Sequence, residues 1–191
     1  MKKKSSVSLQ NKHVNERGSA GVEFALVLPM MMLAFFGAVT VFEAIRASRM
    51  ISQASTTVVD LVTRQAEMTE GSFDLMVATA ETIVGDYAAN SSLEVTVTSI
   101  LNPNDDDDLE EYEVGWSLAT DSDNEIETED LDLYTLPTIS EGDSIIFVLV
   151  TAQFESAIVT KYITSPIKMT RLAIRRPRFE QVVPFVDDSS T

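Results

Sequence analysis

The sequence predicts an α+β protein with one long N-terminal helix, a second amphipathic helix, and then a roughly four-stranded antiparallel sheet. Three observations carry that expectation. An uncharged apolar run fills residues 24–42, and apolar residues continue beyond it at spacings of three and four; a Gly-Ser pair is followed by a second segment of that period; and from Leu93 the period becomes two. Helices followed by strands is the order that segregates helices to one side of an antiparallel sheet. At 191 residues the chain has the length of about one domain.

The first element is the apolar run itself, FALVLPMMMLAFFGAVTVF, 19 residues without a charge. At about 1.5 Å per residue it spans roughly 28 Å as a helix, which matches the hydrocarbon core of a bilayer. A buried core helix usually shows a polar stripe, and this run shows none. Pro29 is compatible with a spanning helix, where proline is tolerated better than in soluble helices. Before the run lie Lys2, Lys3, Lys4, Lys12 and Arg17, opposed only by Glu16. The positive-inside rule therefore places the N-terminus in the cytoplasm and the larger part of the chain outside, a signal that Arg46 and Arg49 on the far flank dilute. A cleavable signal peptide is the competing reading. Its apolar region would be about 7–15 residues, followed by an A-x-A-like site, whereas this run is longer and is followed by EAIRAS.

Beyond Phe42 the helical period continues through Ile45, Met50, Ile51, Ala54, Val58, Leu61 and Val62, so one helix is expected to be apolar in its first half and soluble in its second. Gly71 reads as a stop and Ser72 as a new N-cap. Phe73, Met76, Val77, Ala80, Ile83, Val84 and Tyr87 then line one face of a second helix that ends before Asn90. Leu93, Val95 and Val97 alternate with polar residues, as do Tyr112, Val114, Trp116 and Leu118, which predicts two half-buried strands. The continuous run 145–150 suits the best-buried strand, and residues 167–176 form a basic last strand with Met169, Leu172 and Ile174 apolar. Polar linkers at 102–110 and 121–132 interrupt the strands.

The formal net charge of −16 is unevenly placed. Residues 65–160 hold 23 acidic groups and no Lys or Arg, while residues 1–64 carry eight basic groups against four acidic, and residues 161–191 six against three. A single-sign field of that extent disfavours nucleic acid and an anionic bilayer as partners for residues 65–160. The absence of cysteine excludes disulfides, thiolate metal sites and a cysteine nucleophile; His13 alone excludes histidine triads and multi-histidine metal sites. No enzymatic motif is present, so the chain is expected to be non-catalytic and to need no cofactor. Asp121, Asp123, Glu125, Glu127, Glu129 and Asp132 fall on the alternating ligand positions of a calcium loop. Ile126 stands where the sharp turn needs glycine, and a solvated acidic loop is the plainer reading, as it is for the run Asp105 to Asp108. Arg171, Arg175, Arg176 and Arg178 could dock an acidic partner or pair within their own domain; the second is more economical beside so acidic a segment.

Glu23 stands at the mouth of the apolar run, where a carboxylate is costly unless it lies among headgroups or has a function. Its surroundings, Arg17-Gly18-Ser19-Ala20-Gly21-Val22-Glu23-Phe24-Ala25-Leu26-Val27-Leu28-Pro29, resemble the segment that opens TadE-like proteins, the pseudopilins of the tight-adherence (Flp) pilus system. More broadly they resemble a type IV prepilin, in which a basic leader ends in Gly and the mature chain carries Glu at its fifth position. Counted from Gly18, Ser19 is the first mature residue, Glu23 the fifth, and Phe24 takes the aromatic position after it. The resemblance is strong over about residues 16–42, moderate over 43–66 and weak beyond; VEFALVLP favours TadE over TadF or TadG.

The resemblance implies a pilin-like head and processing after Gly18 by an inner-membrane prepilin peptidase. It also implies that Glu23 pairs with the amino terminus of an adjacent subunit. The expected organisation is a cleaved leader (1–18), a transmembrane helix (19–42), a soluble helical segment (43–90), a β-rich extracytoplasmic head (91–180) and a tail (181–191). Partners implied are the peptidase, other pilins or pseudopilins, the inner-membrane assembly platform and the membrane. The alternative is a membrane-tethered binding or sensor module, unprocessed, with calcium-binding acidic loops. Removing residues 1–18, with five basic groups and one acidic, takes the net charge from −16 to −20.

Overall fold

The computed structural model describes residues 16–85, 93–103, 112–154 and 167–187. The chain divides into two compact units, Met1–Phe42 and Glu43–Thr191. Helix α1, Glu16–Val62, contributes to both. In the first unit it keeps its apolar side chains on the outside: Val22, Phe24, Leu26, Met30, Leu33 and Phe35 are all more than half exposed. Such a surface needs lipid or other helices around it.

In the second unit the later turns of α1 bury Ala47, Ile51, Ala54, Val58, Val59 and Val62, a stripe at helical spacing that faces the main core. The helix stops at Val62, and α2 runs from Glu70 to Val84. The expected break at Gly71 and cap at Ser72 are corrected here. Thr69 is the N-cap: its hydroxyl accepts from the Ser72 amide, and the Ser72 hydroxyl accepts from the Thr69 amide at 3.0 Å, a reciprocal capping box. Gly71 is tolerated because the amides of a first helical turn have no intrahelical acceptor to lose. Replacing Thr69 with alanine is expected to lower stability by about 1 kcal/mol, measurable as a shift in the urea unfolding midpoint. Phe73, Met76, Ala80 and Val84 of α2 are buried as expected, and Gly85, at φ +54°, closes the helix. Tyr87 lies outside the described residues.

Four strands, β1 (Glu94–Leu101), β2 (Glu113–Ala119), β3 (Ser144–Phe154) and β4 (Ile167–Arg175), form one antiparallel sheet in the order β2-β1-β3-β4. The long helix, the second helix and the antiparallel sheet reproduce the predicted α+β layout. The expectation that β1 is half-buried does not hold: its six inner residues are all buried. Both faces of the central strands are covered. One face, with Val95, Val97, Ile146, Val148, Val150 and Ala152, packs with α1 and α2. On the opposite face Ile100, Ile145 and Phe147 pack with Ile126, Leu131 and Ile139, and the Tyr134 ring stands edge-on to Phe147 with centroids 4.8 Å apart. Residues 121–132, expected as a polar linker, thus supply a covering layer. They form two 3-10 turns, Ser122–Asn124 and Thr128–Leu133; Ile126 between them and Leu131 in the second are buried, whereas Leu133 is exposed.

The alternation read over residues 112–118 is also corrected. Trp116 and Leu118 join the helix-side cluster, whereas Tyr112 and Val114 join the other. The cause is a β-bulge: Ser99 pairs with Trp116 but Ile100 pairs with Val114, leaving Gly115 as the extra residue. One inserted residue moves everything before it to the other face. Glycine suits the position, because a Cβ there would come within 2.6 Å of the Leu101 side chain.

Two segments expected to be peripheral are built into this unit. Asn102 is buried; its side-chain amide donates to the Ile139 carbonyl at 2.9 Å and its carbonyl accepts from the Gly142 amide. Further along that linker, residues 104–111, including the aspartate run, lie outside the described residues. From the C-terminal segment, the Pro184 carbonyl accepts from the Met68 amide and the Val186 amide donates to the Met68 carbonyl, both at 2.8 Å. Val183 is fully buried and its carbonyl accepts from the Trp116 indole at 2.7 Å.

Candidate functional site

The candidate site is the first turns of α1. Helix α1 is described from Glu16, so the backbone of Gly18 and Ser19 is helical. Glycine lowers helix stability by about 1 kcal/mol relative to alanine, so Gly18 weakens the helix at this point. Glu23 follows Ser19 by four residues, which sets the two on one side of the helix, a turn apart. Glu23 is exposed, and Phe24 beside it is 63% exposed. Gly21 leaves open space, with nothing within 4 Å of where its Cβ would stand. A carboxylate is therefore carried on the outside of an apolar helix, with a small residue two positions before it and an aromatic ring after it. Lys2, Lys3, Lys4, Lys12 and His13 lie outside the described residues.

The stretch Ala20–Val62 contains a window long and apolar enough to cross a membrane, and none of that window is buried within the protein. A soluble core helix of equal hydropathy would be covered; this one is bare, which fits single-pass membrane anchoring.

The acidic loop is arranged differently from its spacing. The Asp121 carboxylate caps the first 3-10 turn by accepting from the Asp123 amide, and Asp130 accepts from the Glu127 amide. Ile126, at the position where a calcium loop turns on glycine, is buried against the sheet. Glu125 and Asp130, with Glu94 and Lys168, line an open groove of about 410 Å³. Among the described residues no group of three or more carboxylate or imidazole side chains is gathered closely enough to hold a metal ion.

The basic last strand pairs within its own unit. Arg175 and Arg178 both reach Asp60 of α1, at 2.9 and 3.5 Å; Arg176 reaches Asp143 at 3.4 Å and Lys168 reaches Glu94 at 3.3 Å. Arg171 differs: it donates to the Ser48 hydroxyl of α1 at 2.6 Å and to the Thr170 carbonyl. This contact links residues far apart in the sequence and had no local signal; the Thr69 cap did have one, the threonine three residues before Ser72.

An exposed apolar helix followed in the chain by an α+β unit is the arrangement compatible with a single-pass anchored protein that carries an α+β head. The family model described as TadE-like protein matches residues 18–60. Over that segment the chain is similar to TadE-like proteins, and the match opens on Gly18. It supports a protein associated with the tight-adherence (Tad) pilus system and its components. No curated protein and no solved structure matches the chain.

Proposed function

We propose that the chain is a non-catalytic pseudopilin or minor pilin in assembly of the tight-adherence (Flp) pilus. In this reading it is made as a precursor, held in the inner membrane with its N-terminus in the cytoplasm and its head in the periplasm, and cut by a prepilin peptidase between Gly18 and Ser19. The observation that carries the reading is the coincidence at one place of three features. The family match begins at Gly18, the peptide that follows lies on the described helix, and an exposed carboxylate comes one turn later at Glu23.

Hydrolysis of the Gly18–Ser19 peptide leaves a carboxylate on the leader and an ammonium group on Ser19. A negative group, Glu23, then stands one turn above a new positive one. When helices gather in lipid, the Glu23 carboxylate of one copy accepts hydrogen bonds from the Ser19 ammonium of its neighbour. Each charge offsets the desolvation of the other, and the pair sets the axial register of the two helices. Leaving one buried charge without its partner costs about 3–5 kcal/mol. Replacing Glu23 with alanine is therefore expected to leave cleavage intact while reducing recovery in the assembled pilus fraction by more than tenfold. Mass spectrometry of the N-terminus and quantitative immunoblotting of sheared fractions read the two steps separately. Equal loss of both steps would count against the pairing.

A further inference from the structure

We infer that Arg46, Arg49 and Arg171 form a docking surface for the anionic phospholipid headgroups of the leaflet on the head side of the membrane. The inference rests on the membrane reading of residues 24–42. Arg46 and Arg49 follow Phe42, the last residue of the uncharged run, by four and seven residues and lie within α1. At 1.5 Å per residue that is about 6–11 Å of helical rise, the depth of a headgroup layer beyond the hydrocarbon. Their spacing of three puts them on one side of the helix, and both are exposed.

Arg171 is brought to the same level by the fold, through its 2.6 Å bond to the hydroxyl of Ser48, between the two helix arginines. The other cations of the last strand and the segment after it each meet a carboxylate: Lys168 meets Glu94, Arg176 meets Asp143, and Arg175 and Arg178 share Asp60. Among the described residues Arg171 and Arg49 meet none, and Arg171 spends two donors on a hydroxyl and a carbonyl. Among the described residues, two of the guanidinium groups at this level thus meet no carboxylate, and all three side chains are exposed.

The rest of the unit presents the opposite sign, since residues 65–160 contain 23 acidic groups and no base. An anionic bilayer repels that surface and attracts this one. Basic residues are also what the positive-inside rule depletes on this flank, so their placement calls for a ligand there. Guanidinium groups match phosphate with paired N–H donors. An acidic segment of a second copy is the other occupant by charge, but the spacing of Arg46 and Arg49 along α1, four and seven residues past the apolar run, favours lipid.

The test uses the full-length chain in vesicles of phosphatidylcholine mixed with phosphatidylglycerol. Alkaline carbonate extraction comes first; a chain that washes off overturns the membrane reading and this inference together. For the inserted protein, native mass spectrometry of the released complexes gives the ratio of the two lipids retained. Several-fold enrichment of phosphatidylglycerol is expected, erased by high salt and markedly lower in the triple variant R46Q/R49Q/R171Q than in the unsubstituted chain. Arg64→Gln, at the other end of the soluble half of α1, is expected to keep it. The basic leader is common to all variants and cancels in the comparison. The double variant R46Q/R49Q, confined to an exposed helix side, gives an intermediate loss without touching the fold. Undiminished enrichment in the triple variant, or equal loss in Arg64→Gln, overturns the inference alone. So do cross-links from position 49 to acidic residues of a second copy in phosphatidylcholine alone.

Discussion

Replacing Gly18 with valine is expected to leave Met1 at the N-terminus of the membrane-extracted protein, whereas the unsubstituted chain is expected to begin at Ser19. Cleavage after a glycine requires the peptidase to approach backbone closely, and a β-branched side chain obstructs that approach while stiffening the residue that must adapt to the cleft. Insertion should survive, because the substitution touches neither the 19 uncharged residues of the span nor the five basic groups of the leader. The expected result is thus complete loss of processing with undiminished carbonate-resistant membrane association, read by N-terminal sequencing and by the charge of the protein on isoelectric focusing. Processing that proceeds at the normal rate in the valine variant would remove Gly18 from the account.

The second large effect concerns the head. Phe147 on β3 is fully buried and holds the face of the sheet that the 3-10 segments cover, with Tyr134 edge-on to its ring. Replacing it with alanine is expected to cost about 3–5 kcal/mol, from lost transfer energy and the cavity left behind. A domain with a total stability of about 5–15 kcal/mol loses much of its margin by that change. Trp116 is the single tryptophan and is packed against the helix-side cluster, so its fluorescence during urea unfolding of the detergent-solubilised chain reports the loss. Phe147→Leu should recover most of it. A change below 1 kcal/mol for alanine would show that the covering layer of 3-10 turns contributes little to the core.

Much of this architecture was legible in the sequence, for reasons of period and length. The uncharged run, the stripe from Ile51 to Val62, the face of α2 and the strands all announce themselves by which residues repeat. What escaped depends on tertiary neighbours. The alternation of Glu94 to Leu101 looks like that of a one-sided strand, because threonine and serine fill the second face. Nothing local says that residues 121–139 return to cover it, or that Thr98 and Ser117 bond each other at 2.9 Å there. The bulge at Gly115 is invisible to a period-two reading that runs straight through it. Asn102 reads as loop by type yet serves as a buried lock between the end of β1 and the turn before β3. The candidate site was legible for a different reason: Gly18, Ser19, Glu23 and Phe24 lie within seven residues, so their relation depends on helical geometry alone.

The same locality makes the central claim open to one direct measurement. N-terminal sequencing of the protein extracted from membranes of cells with an active prepilin peptidase is expected to begin Ser-Ala-Gly-Val-Glu-Phe, residues 19–24. A sequence beginning at Met1 in those membranes would contradict the account.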